Sequence, residues 1–347
     1  MSLVRRLLLA AGTTVLLGAA PAPPPAPPPA APDPALLDSA ARRAAALPRL
    51  TSLLVARDGE LVLERYYHGG ARGRRVNIKS ASKSVISALV GIAIAEGRVR
   101  GLEQPVAALL GPRYRPLFAA EPRKAAITIE HLLTMRAGLE PTSFANYGAW
   151  VSSRDWVRDA LRRPLVAEPG GPMLYSTGST HLLSAALTRA TGMSTLAYAR
   201  SRLFRPLGVT LPAWQTDPQG IYFGGNEMRL TPREMLRFGE LYRNGGRRGG
   251  VQVVPARWVE ASVQPRTRSP WSGEEYGYGW WIKQSGAHRV YFAWGYGGQF
   301  IFVVPTLRAV VVTTSVADAP SRDGSHLGAI HELLDRFVVP AMERGAD

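Results

Sequence analysis

Apolar and polar positions fall along this chain in patterns that predict most of its elements. Two short runs rich in aliphatic residues, 51–57 and 61–67, are separated by Asp58-Gly59, and a two-residue Asp-Gly break between strand-like runs predicts a β-hairpin. Upstream, Asp33 and Pro34 supply an N-cap and a first-turn proline for a short helix ending before Pro48. The stretch 82–96 is almost uniformly apolar or small and is followed by Gly97, which predicts a helix buried on every side and closed by a glycine. A long, mainly helical middle follows, punctuated by Gly and Pro. Thr231-Pro232-Arg233-Glu234 is a capping box with proline at the first helical position, opening a helix that stops near Gly245. Strand-like runs then come close together at 278–284, 289–294, 300–304 and 309–315, and a last helix covers about 326–337. Two strands early, helices between and strands late imply one sheet split in sequence, with a helical domain inserted. No internal repeat is apparent.

The N-terminus reads as an address. Arg5 and Arg6 precede an apolar stretch at 7–20, too short to span a bilayer, which takes about 20 apolar residues, and suited to the charged and apolar regions of an export signal. The paired arginines fit the twin-arginine route, and small-residue cleavage sites end at Ala20 or Ala22, each followed by proline. Residues 21–34 are dominated by proline, a polyproline II spacer. This divides the chain into an export signal (1–20), a Pro-rich linker (21–34) and a folded domain (35–347).

Composition narrows the chemistry. Of 347 residues, 46% are hydrophobic and 20% charged, a globular balance, and there is no cysteine, which excludes disulfides, thiol nucleophiles, thiolate metal sites and a lipoprotein anchor. The formal net charge is +16, yet only Lys79, Lys83, Lys124 and Lys283 are lysines, an arginine skew typical of GC-rich coding. A nucleic-acid binder concentrates its cations in a groove with stacking aromatics. Here the arginines are scattered, and the densest runs, 72–75 and 243–248, sit in Gly-rich turns. Solvated surface is the expectation for them, with contact to anionic cell-envelope polymers as the alternative.

Three segments carry candidate chemistry. In Lys79-Ser80-Ala81-Ser82-Lys83, Ser80 opens the buried helix and Lys83 lies one turn on, along the same face. A lysine held in an apolar site can be neutral and take a proton from serine, and the helix N-terminus offers N–H groups to a developing oxyanion. The plainer readings are a chance Ser-x-x-Lys and an ordinary N-cap serine. Tyr175 follows Gly170-Gly171-Pro172 on a loop leading into a helix that runs to Gly192. Its hydroxyl could serve as a proton shuttle, or its ring could simply pack at the helix entry. Trp294-Gly295-Tyr296-Gly297-Gly298-Gln299 lies between two strands. Its glycines either let substrate approach the strand backbone or form a hairpin turn.

Taken together and in this order, the three segments resemble the serine β-lactamase and penicillin-recognising enzyme superfamily, above all its class C β-lactamase-like esterases and 6-aminohexanoate-dimer hydrolases. The resemblance covers about 53–339, with further support from His131-Leu132-Leu133-Thr134-Met135 and Asp217-Pro218-Gln219-Gly220. It implies an α+β, β-lactamase-like fold, an antiparallel sheet flanked by terminal helices beside a helical domain. It also implies that Ser80 is the acylated nucleophile and that Lys83 and Tyr175 transfer protons. The backbone N–H groups of Ser80 and Tyr296 would form the oxyanion hole, and Thr177, Trp294 and Gly295 would contact substrate. No cofactor and no metal are implied. Two departures stand out. The family's Tyr-x-Asn is Tyr175-Ser176-Thr177, and its Lys-Thr-Gly is Ala293-Trp294-Gly295, or Trp294-Gly295-Tyr296 in the other register. Both changes resemble the esterase and amidase members.

Other signatures are missing. There is no Gly-x-Ser-x-Gly or His-Glu-x-x-His, His326 and His331 are poorly spaced as a ligand pair, and the Gly-x-Gly pairs lack a third glycine. Trp271, Trp280, Trp281 and Trp294 either wall an apolar cleft or fill the core of the sheet. The expected protein is an exported, metal-free serine hydrolase acting on a small ester or amide. One alternative is a D-Ala-D-Ala carboxypeptidase or β-lactamase, and another is a catalytically silent relative that binds envelope polymer.

Overall fold

The computed structural model describes residues 31–317 and 325–344. The expected export signal, and the linker up to residue 30, lie outside the described residues. Asp58 and Gly59 both take positive φ (54° and 83°), the conformation a tight hairpin turn demands, and join β1 (Leu50–Arg57) to β2 (Glu60–Tyr66). Six later strands complete the sheet: β3 (Thr267–Arg268), β4 (Glu275–Tyr276), β5 (Trp281–Ser285), β6 (His288–Gly295), β7 (Gln299–Val304) and β8 (Ala309–Ser315). Their order is β2-β1-β8-β7-β6-β5-β4-β3 with antiparallel pairing throughout. The pairing of β1 with β8, Leu53 opposite Thr313 and Val55 opposite Val311, is where the split sheet closes. β1, β7 and β8 are buried on both faces, and so read as continuous apolar runs instead of alternating ones.

One face of the sheet is covered by the terminal helices. α1 (Pro34–Ala45) is capped by Asp33, whose carboxylate accepts from the Ala35 and Leu36 N–H groups, and it packs beside the C-terminal helix that starts at Ser325. Leu37, Val55, Phe302 and Leu333 belong to the core between them. The other face carries α4 (Pro232–Arg243), with both halves of the Thr231–Glu234 capping box formed. α4 lies so close that a Cβ on Gly239 would stand 2.5 Å from Val310 Cγ1 and 2.8 Å from Ile301 Cγ2. Beyond it lies the helical region, in which α2 (Ser82–Ala95) packs against α3 (Thr177–Thr191). Every residue of α2 from Ser82 to Ala93 is buried, Lys83 included, as its largely apolar or small sequence predicts.

Several local expectations are corrected. The strand expected at 278–284 begins only at Trp281, because Gly277-Tyr278-Gly279 curls into a turn against α2: the Gly277 N–H donates to Trp280 O at 2.8 Å, and Ser84 Oγ donates to Gly279 O at 2.5 Å. β3 and β4 are two residues each, too short for alternation to be seen. The last helix passes through a π turn (Leu334–Val338) and ends at Glu343, beyond the expected 337. Arg243 is not solvated surface like Arg247 and Arg248. Its guanidinium is mostly buried and pairs with Glu240 at 2.7 Å.

Candidate active site

The chain enters α2 under tight control. Val76–Asn77 pairs with Arg229–Leu230, the Ile78 N–H donates to Met228 O, and Asn77 Oδ1 accepts from the Lys79 N–H at 2.9 Å. Lys79 sits at φ 51°, a left-handed conformation that costs a non-glycine residue about 1 kcal/mol or more. The 3₁₀ turn Lys79–Ala81 then leads into α2. Ser80 therefore stands in that turn instead of being the first α-helical residue. From the opposite side the end of β6 closes in, since a Cβ on Gly295 would lie 2.1 Å from Ile78 O. Gly295 thus serves as a close backbone contact and does not line the cleft, whereas Trp294 and Tyr296 on either side of it do. The turn after β6 is anchored from β8: Gly298 O accepts from Thr313 Oγ1 at 3.1 Å and Ser315 Oγ at 3.3 Å.

Lys83 is the electrostatic centre. Only 2% exposed, its Nζ lies 2.9 Å from Ser80 Oγ, 3.0 Å from Gly225 O and 3.3 Å from Thr177 Oγ1. It also sits 5.1 Å from the centre of the Tyr175 ring. Among the described residues no carboxylate is within ion-pair distance of it. Burial without a counter-charge pulls its pKa down from 10.5 to about 7. Tyr175 is shifted the other way, since burial pushes its phenol well above the ordinary 10, only partly opposed by its hydrogen bond with Ser80.

α3 brings in Thr177, and a neighbouring loop holds its first turn in place. Ser143 Oγ accepts from the Thr177 N–H and lies 2.9 Å from Thr177 Oγ1, while Thr142 Oγ1 accepts from the Gly178 N–H at 2.7 Å. Two of the free N–H groups at the helix start are satisfied in this way. The Gly225 carbonyl is held just as firmly. Asp217 Oδ1 accepts from the Gln219 and Ile221 N–H groups, and its Oδ2 lies 3.1 Å from His181 Nε2; His181 Nδ1 in turn accepts from the Gly224 N–H at 3.4 Å. Trp150, Trp156 and Phe223 wall in this His–Asp pair. A Cβ on Gly224 would meet Thr180 O at 2.1 Å, and one on Gly225 would meet Thr180 Oγ1 at 2.3 Å.

Ser80, Tyr175 and Tyr296 line two adjoining cavities. One, of about 250 Å³, is walled by Phe144, Trp271, Trp281, Trp294 and Leu327. The other, of about 490 Å³, is bordered by Lys79, Ser143, Tyr147, Thr177, Asn226 and Glu227. The tryptophan cluster thus divides. Trp271, Trp281 and Trp294 face the cleft, while Trp280 is fully buried, stacked on Phe238 in the opposite core. Of the residues singled out from the sequence, the structure places Ser80, Lys83, Tyr175, Thr177, Trp294 and Tyr296 around one cleft. Sequence reading missed Ser143, Phe144, His181, Gly225, Asn226 and Glu227, of which only Gly225, in the pair Gly224-Gly225, left a signal. Among the described residues no three His, Asp or Glu side chains converge as a metal site would need.

A split antiparallel sheet with a serine–lysine–tyrosine cluster around a buried amine at its junction with a helical region defines a class. The chain belongs to the beta-lactamase family, whose model matches residues 37–334, and it is a serine hydrolase of that family. Among its relatives is the 6-aminohexanoate-dimer hydrolase of Paenarthrobacter ureafaciens, 25% identical over 82% of this chain and 77% of that protein. Two solved structures share the fold. EstCE1, described as a hydrolase with promiscuous acyltransferase activity, has a TM-score of 0.69 at 18% identity, over 87% of this chain and 98% of its own. A penicillin-binding protein homologue from Caulobacter crescentus has a TM-score of 0.68 at 16% identity, over 88% and 98%.

The depressed Lys83 pKa has a consequence for stability. Between about pH 7 and 10.5 the unfolded lysine holds a proton that the folded one has lost, so this group makes stability rise with pH across that window, by at most about 1.4 kcal/mol per unit. Thermal melts of the wild type and Lys83→Met at pH 7, 8.5 and 10 should show the difference moving in favour of the wild type as pH rises. Parallel curves would mean that Lys83 titrates normally.

Proposed function

We propose that this protein hydrolyses a small neutral ester or amide through an acyl-enzyme on Ser80. The observation that carries this reading is the 2.9 Å approach of a fully buried, uncompensated Lys83 amine to the Ser80 hydroxyl. A neutral amine has two N–H donors and one lone pair. Gly225 O and Thr177 Oγ1 take the two N–H groups, which leaves the lone pair for the Ser80 proton. Burial raises the Tyr175 phenol above its ordinary range, so we assign the base role to Lys83. Tyr175 acts instead as a relay.

As Ser80 Oγ attacks the carbonyl carbon, its proton passes to Lys83 Nζ and charge builds on the carbonyl oxygen, facing the backbone N–H groups of Ser80 and Tyr296. Collapse breaks the bond to the leaving group. That group takes a proton from the Tyr175 hydroxyl, which is reprotonated from the Lys83 ammonium. Water then attacks the acyl-enzyme by the same path reversed. Thr177 holds the amine in place, Trp294 shapes the substrate cleft, and Gly295 contributes by letting the β6 end approach Ser80.

The hydrolase names of the Paenarthrobacter relative and of EstCE1 support an amide or ester bond as the target. The place of the Lys-Thr-Gly lysine is taken by Ala293, which is fully buried, or by Trp294, and this favours neutral substrates. One observation bears on the carboxypeptidase or β-lactamase reading: a lysine, Lys79, borders the larger cavity, although Glu227 shares the same wall. We further infer that residues 1–20 export the chain to the periplasm or beyond, with the prolines as a tether and the exposed arginines free to touch anionic envelope polymers.

Ser80→Ala should abolish the covalent adduct seen by intact mass with a slow acylating inhibitor. Lys83→Ala and Tyr175→Phe should each lower turnover at least ~100-fold with the fold intact. An adduct on another serine, or near wild-type rates for Tyr175→Phe on an unactivated amide, would refute the assignment.

A charge-assisted carboxylate contact is worth about 1.5–3 kcal/mol. Without the third-motif lysine, kcat/KM for p-nitrophenyl butyrate should exceed that for nitrocefin at least ~10-fold. Equal values would make the β-lactamase reading the better one.

A further inference from the structure

We propose that the aromatic compartment beside Ser80 binds a neutral, aryl-sized apolar group of the substrate. This deepens the hydrolase reading and rests on it for the position of the scissile bond. Six large apolar side chains are exposed on the described surface, and three of them, Phe144 (70%), Trp271 (50%) and Tyr296 (58%), border this one cavity. Single exposed apolar residues are ordinary, but a contiguous aromatic patch around a concavity marks a binding surface.

The rings are set to receive another ring. Trp271 meets Phe144 at 6.2 Å and 80° and Tyr175 at 6.3 Å and 87°, both edge to face, and lies 5.5 Å from Trp294. Edge-to-face contacts leave ring faces open to a further aromatic partner. Phe144 itself sits at φ 57°, a strained conformation for a bulky residue, and projects from the loop whose neighbouring Ser143 anchors Thr177. Strain retained at an exposed aromatic on the rim of a cleft fits a role in binding better than a role in packing.

Size and polarity limit the occupant. An apolar cavity of about 150 Å³ holds benzene, so the roughly 250 Å³ here admits a phenylalkyl or bicyclic group. Among the described residues no acidic or basic side chain lines it, whereas Lys79 and Glu227 border the adjoining cavity. The cleft therefore sorts an amphipathic substrate, with its apolar end among the rings and its polar end on the other side of Ser80. A cationic end among the rings is opposed by the overall charge of +16 and by a lining that, among the described residues, holds no carboxylate.

The test compares esters matched in carbonyl reactivity. One arm varies the acyl side (methyl 3-phenylpropanoate against methyl butanoate), and the other varies the alcohol side (2-phenylethyl acetate against butyl acetate). The aryl member should have at least ten-fold higher kcat/KM in one arm, which identifies the side that enters the compartment. Trp271→Ala and Phe144→Ala should each reduce that ratio at least five-fold. Equal rates in both arms, or a ratio unmoved by both substitutions, would overturn the proposal. So would a preference for acetylcholine over 3,3-dimethylbutyl acetate, which would make the compartment a cation cage. Calorimetry on Ser80→Ala separates this proposal from the hydrolase reading. Tighter binding of 2-phenylethyl acetate than of butyl acetate supports the compartment even if no ester is turned over, and equal binding rejects it.

Discussion

A lysine amine buried without a carboxylate is the constraint around which the rest of this molecule is arranged. Sequestering an ammonium costs several kcal/mol unless it is paired or loses its proton. The helix carrying Lys83 is buried from Ser82 to Ala93, and the groups around Nζ are a carbonyl, two hydroxyls and the Tyr175 ring. None of these repays a full positive charge. The same surroundings push Tyr175 upward, so one apolar site shifts the lysine down and the tyrosine up, as the proposed acceptor and donor roles require.

That pair has to meet Ser80, the proposed nucleophile, and three separate parts of the chain are pressed together to achieve it. The strained Lys79 turns Ser80 out of the α2 entry. β6 brings its glycine against Ile78 so that the following turn reaches Ser80, and α3 supplies Thr177. Close backbone approach recurs at each junction, with Gly295 against Ile78, Gly225 against Thr180 and Gly279 against Lys83 O. Much of the site's precision therefore lies in positions that present no side chain to substrate. The buried His181–Asp217 pair belongs to this frame. It fixes Gly224, and through it the carbonyl that holds the amine.

The legibility of the sequence follows from how local each feature is. The Asp58-Gly59 hairpin, the Asp33 cap, the Thr231 capping box and the Ser80–Lys83 spacing are all set within about one helical turn, and each could be read directly. The helical insertion was legible because apolar runs of strand length stop and resume. What escaped was tertiary. Trp280 and Trp281 are adjacent and equally apolar, yet one enters the core and the other the cleft, as neighbours at the start of a strand must. Arg243 looked like part of a solvated run until Glu240 was seen beneath it. Phe144, Asn226 and Glu227 reach the cleft from loops whose paths no periodicity encodes.

The central claim, that burial makes Lys83 a neutral base near physiological pH, is open to direct observation because the chain has only four lysines. A pH titration of lysine ¹³Cε resonances by NMR, with Lys83 assigned by its loss in Lys83→Met, should show a Lys83 midpoint near 7. A Lys83 midpoint near 10.5 would contradict the account.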